Sequence, residues 1–203
     1  MKKILSSVLL CFALAGASVF AFEGDDLKTY PSATPKGSFL INAGVGIGPT
    51  IYGDINIPPI GLTVDYNLPL FGGLPFTIGG LFEFAGSKYD FNSSWGGVTW
   101  GYTELHSFLS IGGRFGYHLN WGVDKLDTYV VAGVGWTIGI VDRTYSGDWG
   151  GYSKPSEDAH GSFLFDINIG ARWFFIPNLG AFLEIGGGYH NLSTVSLGVA
   201  VKL

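Results

Sequence analysis

The sequence predicts an all-β fold: an eight-stranded antiparallel up-and-down barrel spanning a membrane, preceded by a cleaved signal peptide. Three observations predict it. After residue 21 the chain carries eight segments in which apolar residues alternate with small or polar ones, the period of a two-faced strand. Charged residues make up only 13% of the chain, against about 25% in an ordinary soluble domain, while 16% are aromatic and 33 are glycine. The connections between segments also alternate between long and short, as a barrel with one plain rim and one elaborate rim requires.

The first residues are a leader. Lys2 and Lys3 precede an apolar run from Ile4 to about Ala17, and Ser18-Val19-Phe20-Ala21 supplies small residues before a cleavage point. Residues 1–21 are therefore read as a signal peptide and 22–36, with Asp25, Asp26, Pro31 and Pro35, as a periplasmic lead-in. Residues 37–203 form the barrel. Cys11, the single cysteine, lies within the leader, so the mature chain is expected to have no disulfide and no cysteine metal site. A lipidated Cys11 is the rival reading, disfavoured by the bulky Leu10 before it. No stretch after residue 21 reaches the roughly 18 consecutive apolar residues of a spanning helix, so a membrane location requires a closed barrel.

The eight segments follow in order. At 37–48, Phe39, Ile41, Val45 and Ile47 oppose Ser38, Asn42 and glycines; at 60–70, Leu62, Val64 and Tyr66 oppose Thr63, Asp65 and Asn67. At 76–88, Phe76, Ile78 and Phe82 oppose Thr77, Gly79 and Glu83; at 103–119, Leu109, Ile111 and Phe115 oppose Glu104, His106, Arg114 and His118. At 128–142, Val130, Val134 and Trp136 oppose Gly133, Gly135 and Thr137, and at 161–175, Phe163, Phe165 and Trp173 oppose Asp166, Asn168 and Arg172. Leu183 and Ile185 oppose Glu184 and glycines at 179–190, and Val195 to Leu203 alternate with Ser196 to Lys202 at 194–203. Residues 49–59, 89–102 and 143–160 read as long loops, and 71–75, 120–127 and 176–178 as short turns; 191–193 is short where a long loop is expected.

Alternation alone does not say which face is outside, because a lipocalin-like soluble barrel has the same period with its apolar face inward. Composition decides it. The minor face is Gly, Ser, Ala and Asn with a few charges, which suits a narrow lumen rather than water, so the Val/Ile/Leu/Phe face is assigned to lipid. Tyr117, Tyr129, Trp173 and Phe175 are read as an interfacial girdle on the rim that holds both termini.

Two pieces carry a resemblance: "GARWFFIPNLGAFLEIGGGY" (170–189) and the terminal strand "TVSLGVAVKL" (194–203). With the strand pattern they make residues 37–203 resemble the small outer-membrane barrel family typified by OmpA, OmpX and OmpW. The resemblance implies a cell outer-membrane location with periplasmic termini, contact with outer-membrane lipids, and an envelope or surface-contact role. It also implies that Val199, Val201 and Leu203 serve as the signal read by the barrel-assembly machinery, although Phe is the commoner last residue. A peptidoglycan-binding domain of the OmpA type is not expected.

Candidate sites divide into lumen and loops. Parity directs Asp65, Glu83, Glu104, Arg114, Asp166, Arg172 and Glu184 inward, with Lys202, His106 and His118, and a dry lumen forces such charges to pair. A three-residue turn at 177–179 would set Arg172 across from Glu184, and Glu83 is matched with Arg114. Eight strands leave just enough room for side chains, so a polar plug is expected, with a narrow porin-like channel as the alternative. An enzyme acting on lipid A is the third reading: His160-Gly161-Ser162 resembles the His-x-Ser of the deacylase type, but the residues face the lumen and no acid completes a triad.

Loop contact candidates are Trp95, Trp100 and Tyr102 in "DFNSSWGGVTWGY" (90–102), with Tyr145, Trp149 and Tyr152 in 143–161. Their plain reading is an extension of the outer girdle; their functional reading is a contact surface for an unidentified ligand. Eleven Lys and Arg against 16 acids, a net charge of −5, argue against nucleic acid. No cofactor or metal is expected, and His190 is read as solvated. A monomer is expected.

Overall fold

The computed structural model describes residues 33–48, 53–68, 75–119, 121–147 and 156–203. The signal peptide, residues 22–32 of the lead-in, Trp149 and Tyr152 lie outside the described residues. Eight strands close into one antiparallel ring in chain order. They are β1 Phe39–Ile47, β2 Asp54–Asn67, β3 Phe76–Trp95, β4 Val98–Leu119, β5 Leu126–Gly147, β6 Ser156–Ile176, β7 Leu179–Tyr189 and β8 Val195–Lys202. The last strand seals the ring against the first, with Ile41 opposite Val201 and Val45 opposite Leu197. Phe39 and Leu203 exchange both backbone hydrogen bonds at 2.9 Å, so the C-terminal strand leaves no edge to fray.

The predicted faces hold within the barrel. Ile78, Phe82, Ile111, Phe115, Val134, Ile169, Ile185, Leu197 and Val199 are exposed on the outside, while Asp65, Arg114, Arg172 and Glu184 are buried inside. Glycine on the inner face makes room for larger neighbours: a Cβ at Gly170 would overlap the Tyr129 ring. Tyr129 itself is buried in the lumen rather than on the girdle, a correction its odd position on β5 explains, since it shares parity with the inward Gly133 and Thr137. Trp173 and Phe175 stand exposed outside as expected.

The strands are not equal in length. β2 was expected to start at 60 but runs from Asp54, with register shifts around Asn56 and the Pro58-Pro59 pair, where the missing proline N–H breaks the ladder. The larger correction concerns 89–102. These residues form strand, not loop: pairing of β3 with β4 continues through Phe91 opposite Tyr102 to Trp95 opposite Val98. The turn is Gly96-Gly97, with φ of 60° and 84°, the positive pair that a tight hairpin requires. β5 and β6 extend alongside, with Trp100 opposite Gly147 and Arg143 opposite Ser156. Since β2 last pairs at Lys88 and β7 at Phe165, the ends of β3 to β6 project beyond the ring as a four-stranded sheet.

Candidate functional site

Buried side chains face the lumen at three levels. At the rim where Leu203 lies, Ala33 and Thr34 are buried in the mouth. Asn67 Nδ2 donates to the Thr34 carbonyl at 2.6 Å, and Lys202 Nζ donates to the Ala33 carbonyl at 2.7 Å while lying 4.6 Å from the Phe174 ring centroid. Ala33 packs with Leu40, Phe174, Phe182 and Ala200. The end of the lead-in therefore packs against the inner wall at this rim, a placement its lack of strand pattern does not signal.

The middle tier is a charge network around Arg172, which is 0% exposed. Its Nη1 donates to Asp127 Oδ2 at 2.7 Å, its Nη2 to Asp65 Oδ2 at 3.0 Å and its Nε to Asn42 Oδ1 at 2.8 Å, with the Tyr129 ring 4.0 Å away. Arg114 lies 3.1 Å from Asp65 Oδ1 through Nε and donates from Nη2 to Glu184 Oε1 at 2.8 Å. Glu184 Oε1 also accepts from the Tyr129 hydroxyl at 2.7 Å. Two guanidiniums thus meet three carboxylates, with Asn42 and Tyr129 filling remaining donor and acceptor positions, as burial of charge demands.

This network corrects both expected pairs. Arg172 stands opposite Phe182, and Glu184 opposite Gly170, because the β6–β7 turn is Pro177-Asn178 with a register shift between Phe174 and Ile176. The two-residue offset gives Arg172 to Asp127 and Asp65, and Glu184 to Arg114. Glu83 stands opposite Ser110 rather than Arg114 and lies beside Ser193 and the Leu192 backbone. Asp166 accepts from Asn168 Nδ2 at 2.6 Å. Asp127 was read as part of a turn; its position at the second residue of β5, two before Tyr129, is the signal that would have found it.

At the end of the same tier, His118 Nδ1 lies 2.7 Å from Asp127 Oδ1 and its Nε2 lies 3.1 Å from Thr77 Oγ1. An acid, an imidazole and a hydroxyl in line have the connectivity of an activated nucleophile. Thr77 is 1% exposed, however, and the second oxygen of Asp127 is held by Arg172, so the chain braces the lumen wall. His160 and Ser162 share a face, and no hydrogen bond joins them. Among the described residues no group of three His, Cys, Asp or Glu is arranged to hold a metal.

The third tier is the β7–β8 connection, which folds into the far mouth instead of standing in solvent. Leu192 is 0% exposed and Asn191 is buried with it. Thr137 Oγ1 on the opposite wall donates to the His190 carbonyl at 2.9 Å, and the Thr194 N–H donates to Ile47 at 2.7 Å. His190 takes a φ of 56° to make the inward bend, and its ring meets Tyr189 edge-on at 4.3 Å. The His190 side chain stays partly exposed, and it is the backbone of this residue that makes the inward bend. The shortness of 191–193, out of step with the other far-rim connections, was the available clue.

Glu104 belongs to none of these tiers. It lies in the projecting sheet, where Arg143 Nε donates to its Oε1 at 2.6 Å, Arg143 Nη2 also contacts it, and His106 Nε2 lies 3.1 Å from Oε2. Burial alone would push this carboxyl up; the bonds from Arg143 and His106 outweigh it and hold Glu104 below the ordinary carboxylate range. Above it, Phe91 stacks on Tyr102 at 5.2 Å between centroids, Phe91 meets Trp100 at 5.3 Å, and Tyr102 lies 6.2 Å from both Tyr89 and Tyr145. These rings occupy the parity that points inward lower down. They line the concave face over the lumen, while Lys88, Asp90, Thr103, Asp142 and Thr144 occupy the convex face. The aromatic residues therefore do not extend the outer girdle.

On the outside of the barrel, the small side chains of Thr128 and Ala171 leave an apolar groove of about 390 Å³ between Trp121, Val130, Ile169 and Leu183. Trp121 Nε1 donates to Thr128 Oγ1 at 2.6 Å beside it.

No family model and no curated protein matches the chain. Solved structures do. The crystal structure of Ail, the attachment invasion locus protein of Yersinia pestis, is 17% identical, with a TM-score of 0.45 over 83% of this chain and 100% of that one. The N-terminal β-barrel domain of Pseudomonas aeruginosa OprF is 15% identical, with a TM-score of 0.41 over 83% and 98%. The backbone structure of the outer membrane protein Ail in a phospholipid bilayer nanodisc is 14% identical, with a TM-score of 0.42 over 83% and 100%. The fold stands on this chain's own closed register; the likenesses carry no further argument.

Proposed function

We propose that this chain is an outer-membrane barrel whose lumen is closed to solutes and whose working surface is the sheet projecting from its far rim. The observation that carries the reading is a contrast of solvents. The outer face of the ring presents large apolar side chains, which lipid accepts and water does not, and the inner face carries buried side chains at both mouths and between them. The rim with Ala33 and Leu203 is assigned to the periplasm and the projecting sheet to the cell exterior. In this reading the charges brace the barrel instead of lining a path, the protein is a non-catalytic monomer, and the C-terminal Val199, Val201 and Leu203 present an outward face to the assembly machinery.

Conductance of the refolded protein in planar bilayers tests it. The native chain is expected to give no stable current steps, and removal of Asn191, Leu192 and Ser193 is expected to leave the bilayer closed because the Arg172 tier remains beneath. Steps of constant size from the native protein, altered by Arg172→Ala, would instead establish the narrow channel.

A further inference from the structure

The apolar groove outside the ring comes from a gap in the side-chain rows of the wall. On the outer face Leu119, Thr128, Ala171 and Leu183 stand side by side across β4 to β7, and the next row away from the rim is Val130, Ile169 and Ile185. Leucine at both ends and branched residues along one side leave the short side chains of Thr128 and Ala171 as a floor. Trp121, from the connection after β4, lines the groove as well, and its Nε1–H donates to Thr128 Oγ1 at 2.6 Å, which ties the indole to the wall.

Two observations choose the occupant. The first is that the groove has no polar group to offer. Its outward polar side-chain atoms, Trp121 Nε1 and Thr128 Oγ1, are engaged with each other, and the same hydroxyl donates to the Leu119 carbonyl at 3.5 Å. A water held there needs two to four polar partners, and a ligand held by hydrogen bonds needs at least one. The second observation is continuity with the lipid face. Ile169, Leu183 and Ile185, which border the groove, are 60%, 44% and 45% exposed and belong to the outward apolar band. The gap therefore opens onto hydrocarbon.

We propose that this groove seats an acyl chain of a glycerophospholipid from the leaflet at this rim, holding it longer than the rest of the wall holds its lipid. The inference rests on the reading of the outer face as lipid-facing. Escape from water does not drive the seating, because a lipid tail is as apolar as leucine and lies in hydrocarbon before and after. Contact does: methylenes lying in the groove touch its floor and sides, whereas a chain passing across it leaves Thr128 and Ala171 without partner atoms. The tied indole keeps that shape formed before the lipid arrives, which lowers the ordering cost. Asp124 and Lys125, in the same connection as Trp121, carry opposite charges, so the site selects the chain and not the charge of the headgroup. A second copy is the poorer occupant, since ten residues line the groove against about 20–30 a side in a stable protein interface.

The test uses the refolded full chain in phosphatidylcholine vesicles with a trace of phosphatidylcholine carrying a photoactivatable diazirine on its acyl chain, and adducts are mapped by peptide mass spectrometry. Labelling of Leu119, Thr128, Ala171 and Leu183 is read relative to Tyr66, Ile78 and Phe115, an unbroken row of large side chains near the same rim. Ala171→Leu fills the floor from outside and is expected to lower the relative labelling of Leu119, Thr128 and Leu183 about threefold, with folding checked by an unchanged unfolding transition. Ala43→Leu, the same change on the outer face of β1, is expected to leave it as it was, and a phosphatidylglycerol probe is expected to label as phosphatidylcholine does. Labelling untouched by Ala171→Leu, an equal fall with Ala43→Leu, or a strong preference for either headgroup would each overturn the proposal. Disulfide-linked dimers of Ala171→Cys in a Cys11→Ser background, with the groove unlabelled in the native chain, would give it to a second copy instead. Loss of labelling along the whole wall, the Tyr66 row included, would remove the lipid-facing reading itself, so the two failures are told apart.

Discussion

The same four strands behave differently below and above the rim of the ring. On β4, the bulky residues within the barrel fall at odd positions, Leu109, Ile111, Phe115 and Tyr117, and point outward. Above the rim they fall at even positions, Trp100 and Tyr102, and point to the concave face. β3 switches likewise, from Phe76, Ile78, Phe82 and Phe84 to Tyr89, Phe91 and Trp95. The strand itself is continuous, so what reverses is the solvent. Where lipid surrounds the ring, the outside must be apolar; where water surrounds the sheet, Asp90, Asn92, Thr103 and Asp142 can take that side. The reversal of phase marks the edge of the lipid zone.

The largest effect that can break this comparison is expected from arginine. Arg172→Ala leaves Asp65 and Asp127 buried without their cation and is expected to cost about 3–5 kcal/mol, measured by urea unfolding in detergent. Arg143→Ala removes a guanidinium that is 40% exposed from a pair of the same chemistry, and is expected to cost less than about 1 kcal/mol. Equal costs would mean that the lumen is wetter than its packing indicates. A double-mutant cycle on Arg114 and Glu184 should show the strongest coupling, and one on Arg172 and Glu184 a weaker one, carried through Asn42 and Tyr129 because no hydrogen bond joins the two directly.

Adding a charge separates the zones next. Ile111→Arg is expected to destabilise the protein in lipid vesicles by about 2–4 kcal/mol, the cost of arginine near the bilayer midplane. Thr103→Arg, on the same side of the same strand but above the rim, is expected to stay within about 0.5 kcal/mol.

The smallest effect concerns acid. Glu104 is held below its ordinary value, so its pairing with Arg143 adds stability that is complete above that value and disappears as pH falls through the lowered one. Amide protection factors, which allow for the slower intrinsic exchange in acid, should therefore fall in residues 101–105 and 142–145 across that window, while those of residues 107–117 in the ring do not. Protection that falls equally in both regions would remove the distinction.

Much of this was legible in the sequence because lipid imposes a period of two. All eight strands and the closure of β8 on β1 follow from that period, and the burial of Arg172 and Glu184 follows from their parity. What escaped notice did so for physical reasons. The hairpin through Gly96-Gly97 reads as loop when strands are sought by an apolar outer face, since above the rim that face is polar. Arg172 and Glu184 are set two residues out of register because the Pro177-Asn178 turn is one residue shorter than expected and a bulge falls between Phe174 and Ile176, an even offset that parity cannot detect. Ala33, Thr34 and Leu192 lie buried at the two mouths on chain segments outside any strand, where no period exists to reveal them.

The central claim, that one face of each strand meets lipid up to a definite height, is tested most directly by spin labels placed singly along β4 in the refolded, vesicle-inserted protein. Labels at 109, 111 and 115 are expected to be relaxed by oxygen and protected from a water-soluble nickel chelate, and labels at 99 and 103 to show the reverse. Chelate access at 111 equal to that at 103, or protection from both reagents at 111 as in a protein interior, would contradict it.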